Sequence, residues 1–177
     1  MILLTAATAV AAAAAATDPA SQAQAGSGYD LALWLTGGAI LVLLALSGFF
    51  SGSETALTAS SRAKLRARAD RGDAGAQRAL EVTEDSESLI GSILLGNNVV
   101  NILSASLATA LFTRLLGSSG VAAATLVMTV LVLIFAEVLP KTYAILAPED
   151  MASRVARPVS VVTRIMSPVV TVVRLIV

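Results

Sequence analysis

The sequence contains no cysteine and no histidine. That excludes disulfides, thiolate and imidazole metal centres, and the commonest proton-relay side chain. Aromatic residues make up only 4% and charged residues 14% of the chain, with a formal net charge of zero. The basic residues gather beside apolar runs without aromatic neighbours, so nucleic acid is not an expected partner. A nucleophile elbow and a glycine-rich phosphate loop are also missing, and the protein is not expected to be an enzyme. What is present is apolar: 56% of 177 residues are hydrophobic, and the mean hydropathy is +0.81. A soluble domain of this length has no way to bury so much apolar surface. The expected class is all-α integral membrane.

Two domains are expected, an N-terminal lead over 1–28 and a membrane domain over 29–177. The lead is alanine-rich, carries no Lys or Arg, and has Ala23-Gln24-Ala25 as a small-residue cleavage pattern. It reads either as a secretory signal lacking its positive n-region or as an uncleaved, partly disordered or partly helical segment. From Leu31 to Phe50 no charge occurs. Twenty residues at 1.5 Å each cover about 30 Å of hydrocarbon, which predicts a first transmembrane helix over about 31–56. Tyr29 and Trp34 stand where interfacial anchors belong. A second span is predicted over about 88–116 and a third over about 121–145, with the tight turn Gly117-Ser118-Ser119-Gly120 between them. Pro140 should kink or end the third helix.

Between the first two spans, 61–87 carries Arg62, Lys64, Arg66, Arg68, Arg71 and Arg78, then Glu81, Glu84, Asp85 and Glu87. Two short juxtamembrane helices parted near Gly72-Asp73 are expected, the basic half touching an anionic inner leaflet. A solvated charged loop would explain most of these side chains equally well. Residues 148–177 set Arg154, Arg157, Arg164 and Arg174 among Val, Ile and Met, with breaks expected at Pro158 and Pro168. Helices lying in the interface are favoured there, because a fourth span would place Arg164 mid-membrane at a cost of at least about 2.5 kcal/mol. Counting Lys and Arg beside the spans puts the N-terminus outside and the C-terminus in the cytoplasm. The expected location is a bacterial inner (plasma) membrane, crossed more than once.

One polar run interrupts the second span: Gly96-Asn97-Asn98-Val99-Val100-Asn101. On a helix Asn101 lies about 40° from Asn97 and Ser104 about 20° to its other side, while Asn98 sits about 100° away. Burying such groups unpartnered costs roughly 2–7 kcal/mol each on transfer scales. Ser47 and Ser51, at i, i+4 on the first helix, and Glu137 on the third are expected at the same depth in the inner half of the bilayer. Each has a bland reading: serines bond back to their own helix, asparagines glue helices together, and Glu137 pairs with Lys141 at i, i+4. Taken together, hydroxyl, carboxamide and carboxylate oxygens form a donor set for a hard cation. Residue chemistry by itself leaves Mg²⁺, Ca²⁺ and Na⁺ open.

Ser51-Gly-Ser-Glu-Thr-Ala56, Gly96-Asn-Asn-Val-Val-Asn101 and Glu137-Val-Leu-Pro-Lys141 resemble the signature motifs of the transmembrane domain of the CNNM/CorC magnesium transporters. They occur in the same order on three successive spans, and the resemblance covers roughly residues 30–177. It implies a homodimer with three membrane helices per protomer, a belt of juxtamembrane helices, and Mg²⁺ export coupled to Na⁺ entry through an inward-facing site. Carried over by position, the Mg²⁺ ligands are Ser47, Ser51, Asn97 and Asn101, with Glu137 as charged partner or gate and Asn98 and Gly96 as support. Family members usually continue into cytoplasmic CBS-type regulatory domains, which are expected beyond Val177. The alternative is a membrane anchor and dimerisation module that positions such domains without transporting anything.

Overall fold

The structure is a computed structural model and describes residues 26–176. The lead apart from its last residues lies outside the described residues, and Tyr29 is described in its backbone alone. Among the described residues every regular element is a helix. The order is α1 (Gly26–Ala59), α2 (Arg62–Ala69), α3 (Ala74–Val82), α4 (Ser86–Leu116), a 3₁₀ turn (Gly117–Ser119), α5 (Gly120–Leu131), a π-helical segment (Val132–Val138), α6 (Leu139–Leu146) and α7 (Pro148–Ile176).

Two stretches are long and apolar enough to cross a membrane, Leu31–Ala59 and Ser86–Leu146. The second holds a helical hairpin: Gly117 reverses the chain at φ +64°, a left-handed conformation that glycine adopts without steric penalty, and α5 packs back on α4. The outer faces carry large apolar side chains in quantity, with Leu41 and Ile102 each 66% exposed and Trp34 80% exposed. Such a surface suits hydrocarbon rather than water. The interior instead collects small residues, Ala56, Ala108, Ala136, Ala144 and Ala156 each being fully buried. Small residues let membrane helices approach until dispersion contacts and interhelical hydrogen bonds hold them.

The charged stretch folds into α2 and α3, parted at Gly72 with φ +93°. Asp73 starts α3 as its N-cap, accepting from the Gly75 and Ala76 backbone N–H groups at 2.8 and 3.0 Å. Leu65 is buried beneath α2, so this pair is docked rather than solvated all round. It is tied to the first turn of α7 by Lys64–Glu149 at 3.2 Å and by Arg68–Asp150.

The tail departs from expectation. α7 is one helix running through both Pro158 and Pro168. Each proline removes one backbone N–H, but both lie on the exposed face, while Ala152, Val155, Ala156 and Val159 pack inward against α1, α3 and α4. The buried stripe holds the helix together across the missing hydrogen bonds. Arg154, Arg157 and Arg164 are exposed.

Candidate functional site

The site begins with close approach. α1 presents Gly48 and Gly52 one turn apart, and α6 lays Pro140 across both. A methyl group on Gly48 would lie 3.1 Å from the Phe135 carbonyl oxygen and 3.2 Å from Pro140 Cγ; one on Gly52 would lie 3.2 Å from Pro140 Cβ. Gly96 plays the same part toward Phe50, whose ring would stand 3.0 Å from an added methyl. Three glycines thus draw α1, α4 and the third helix into contact at one level.

At that level the polar residues meet. Ser47 is 1% exposed and donates its hydroxyl to Asn97 Oδ1 at 2.8 Å, bridging α1 and α4. One turn further along each helix, and so on opposite sides of that bond because α1 and α4 run antiparallel, the Ser51 hydroxyl and Asn101 Oδ1 are buried without any hydrogen-bond partner. Ser53, Ser92 and Ser104 hydroxyls are in the same state. Leaving one such group unmet costs about 1–3 kcal/mol, so Ser51 and Asn101, flanking the bonded pair, are candidates to meet a ligand. Asn98 is exposed and faces away from the cluster.

Glu137 sits on the π-helical segment, where the Leu139 N–H reaches back five residues to the Ile134 carbonyl. A proline ring collides with the carbonyl four residues before it, here that of Ala136. Widening the preceding turns moves that carbonyl aside and keeps the helix continuous to Leu146, where a kink or an end was expected. Such segments are rare and gather at functional sites. Glu137 makes no ion pair with Lys141, whereas Lys64–Glu149, Arg68–Asp150 and Arg78–Glu81 do pair. Glu137 lines an open, mainly apolar groove of about 440 Å³ between α4 and the α5–α6 stretch, with Asn101, Thr109, Thr125 and Thr129 as its other polar residues.

The five residues singled out from sequence therefore fall into two groups. Ser47 and Asn97 form a bonded pair, with Ser51 buried one turn from Ser47. Asn101 and Glu137 share the groove. The threonines of that groove were not singled out, although Thr125, Thr129 and Glu137 recur at multiples of four residues on one face. No group of three or more acidic residues suited to a metal occurs among the described residues, so any cation here relies mainly on neutral oxygens.

Residues 38–177 match the profile of the cyclin M transmembrane N-terminal domain, CNNM. The chain is similar to the UPF0053 inner membrane protein YfjD of Escherichia coli, 48% identical over 107 residues, covering 60% of this chain and 25% of that protein. It is 39% identical over 113 residues to a UPF0053 protein of Haemophilus influenzae, covering 64% of this chain and 27% of the relative. A polyamine export protein of E. coli is 33% identical over 144 residues, covering 74% of this chain and 32% of its own length. The chain thus spans about a third or less of the length of these relatives.

Proposed function

The chain belongs to the family of CNNM transmembrane domains, and from that premise we propose that it is an ion-transport domain that moves Mg²⁺ out of the cytoplasm in exchange for Na⁺. The observation that carries this reading is the two orphaned buried oxygens, Ser51 Oγ and Asn101 Oδ1, one turn to either side of the Ser47–Asn97 bond. Mg²⁺ demands near-octahedral oxygens at about 2.0–2.1 Å and sheds water reluctantly. Hydroxyl and carboxamide oxygens with one nearby carboxylate replace water without trapping the ion. Na⁺ occupying overlapping oxygens in a second conformation supplies exchange, because a ligand shifts an equilibrium only through differential affinity.

The same proposal takes the Ser86–Leu146 hairpin as two passes, giving three transmembrane helices in all. The N-terminus is outside, and α2, α3 and the start of α7 lie at the cytoplasmic face. The basic side chains of α2 and α7 support this orientation. The active unit is a homodimer: Thr125 and Thr129 are exposed in the single chain, and a second copy over that flank would keep polar groups from lipid. Cytoplasmic CBS-type domains are the expected regulatory partners.

The test is Mg²⁺ efflux from loaded cells carrying Asn101→Ala or Ser51→Ala. Both should lose most of the wild-type rate; wild-type rates in both would sink the site assignment. A membrane anchor with no transport role predicts no Mg²⁺-dependent rise in thermal stability of the purified protein, whereas a bound ion requires one. A second reading, export of an organic polycation, is favoured by the similarity to a polyamine export protein.

A further inference from the structure

The outer face of α7 takes no part in the ion site. From Met151 to Val177 the sequence has four arginines and no Asp or Glu. Three of them, Arg154, Arg157 and Arg164, are exposed on α7, and none of the three is ion-paired among the described residues. Asp150, exposed one turn before Arg154, is already held by Arg68. The opposite face of the helix packs against α1, α3 and α4.

This outer face is not simply basic. At 100° per residue, Val161, Ile165 and Val172 fall within about 20° of Arg154, and Arg157 and Arg164 lie together about 60–80° to one side. The three apolar side chains are each more than half exposed. An apolar strip edged by guanidinium groups suits a helix lying in a membrane surface, where apolar side chains dip below the headgroups and the charges stay among them.

The prolines fix the depth. Both stand on this face, each four residues after an arginine, Arg154 with Pro158 and Arg164 with Pro168. Proline has no N–H, so the Arg154 and Arg164 carbonyls lose the backbone donor that a helix normally supplies. Hydrocarbon offers no replacement, whereas the hydrated headgroup layer does. Position agrees: Met151 meets Gly52 near the end of α1, and Val170 meets Gly91 near the start of α4. The helix therefore crosses the ends of the two spans on the side where α2 and α3 lie. Guanidinium forks match phosphate oxygens in pairs, and arginines without counter-charges favour a leaflet of net negative charge.

We propose that the outer face of α7 is a docking surface for anionic phospholipid headgroups. Arg154, Arg157 and Arg164 bind the phosphates, and the Val161/Ile165/Val172 strip lies at the level of the upper acyl chains. The surface does not depend on which ion the protein carries.

Trp34 is the sole tryptophan of the chain, so a Trp34→Phe/Ile165→Trp protein carries one fluorophore, on the outer strip. The full chain is reconstituted in vesicles of phosphatidylglycerol and phosphatidylcholine in equal amounts, with one of the two brominated either just below the headgroup or at the chain ends. Quenching should be strong from the shallow bromines and weak from the deep ones. Brominated phosphatidylglycerol should be enriched at the reporter about fivefold or more over brominated phosphatidylcholine, and added salt should shrink that ratio by screening. Arg157→Gln/Arg164→Gln should bring the ratio toward one while leaving shallow quenching and far-UV helicity unchanged. Val161→Trp is the second reporter, used if Ile165→Trp does not fold. Quenching by neither lipid would mean that a second copy or a soluble partner covers the face. Quenching mainly from the chain ends would mean that α7 crosses the bilayer. A ratio of one with all arginines present, or a ratio unmoved by their loss, would mean that they do not select the headgroup. Any of these results overturns the proposal.

Discussion

The Ser47 hydroxyl donates to Asn97 Oδ1 across 2.8 Å, a side-chain hydrogen bond that joins α1 to α4 within the apolar layer. It orients the Asn97 carboxamide by occupying one lone pair of its oxygen and leaves the other free. The bond explains how two polar side chains are tolerated in the span without an ion. It does not explain Ser51 and Asn101, whose oxygens stay unmet. The pair is therefore a positioning device between two oxygens that wait for a ligand.

A double-mutant cycle reads that bond directly. Ser47→Ala and Asn97→Ala should each lower thermal stability, and the coupling between them should be about 0.6 kcal/mol, the usual size for an interhelical hydrogen bond in a membrane protein. Unfolding of the four proteins in one detergent measures it. Zero coupling would mean that the two groups do not meet.

The glycines of α1 divide into two kinds. Gly48 faces the Phe135 carbonyl and Pro140, whereas Gly38 has nothing within 4 Å of an added methyl. Gly48→Val should destabilise by about 1–3 kcal/mol through overpacking and should depress transport, because the third helix must move to admit it. Gly38→Ala should be neutral or slightly stabilising, since alanine is the better helix former by roughly 1 kcal/mol. Equal losses in both would remove the close-approach account of this face.

Much of this arrangement was legible in the residues. The i, i+4 spacing of Ser47 with Ser51 and of Asn97 with Asn101 presents both pairs on single helix faces, and Gly72 marked the break between α2 and α3. Other features depend on packing that periodicity does not express. The π-helical turns accommodate the Pro140 ring against the Ala136 carbonyl while that ring packs on Gly48 and Gly52, which are distant in sequence. Pro158 and Pro168 read as breaks, yet the helix survives because a buried Ala/Val stripe lies on its other side. Thr109, Thr125 and Thr129 carry no signal in the sequence because a lone threonine in a membrane helix ordinarily bonds to its own backbone. Only the facing helix shows that all three line one groove.

Acid should loosen the charged layer through Glu149. Burial alone would raise its pKa, but its own backbone N–H, Lys64 and the Ser61 N–H outweigh that and hold it below the ordinary carboxylate value. A carboxyl group lowered in the folded state contributes stability above its unfolded pKa of about 4.3 and loses it as pH falls through the native value. The Tm of wild type should therefore drop on acidification from pH 5 toward 3. Glu149→Gln should start lower at pH 7 and fall less steeply over that window. Parallel curves would assign the acid sensitivity to other carboxylates, of which Asp73 is the first to test: its pKa is lowered chiefly by the Ala76 N–H, which outweighs burial, and further by the Gly75 N–H.

Pro140 links helix geometry to the carboxylate. Its ring keeps the Ala136 carbonyl at a distance, and the turns before it are wide, with Glu137 among them. Pro140→Ala removes the ring and restores an N–H four residues after that carbonyl, so the segment is free to tighten into ordinary α-helix. Closing a π-helical turn by one residue rotates what lies on one side relative to the other by about 100°. Glu137 then turns out of register with Asn101. Mg²⁺ efflux should fall by about tenfold or more, while far-UV helicity and membrane insertion stay at wild-type levels. Glu137→Gln should reproduce that loss without changing the helix. Wild-type efflux in Pro140→Ala, with the helix shown to have tightened, would mean that the widened turn does not aim the carboxylate at the groove.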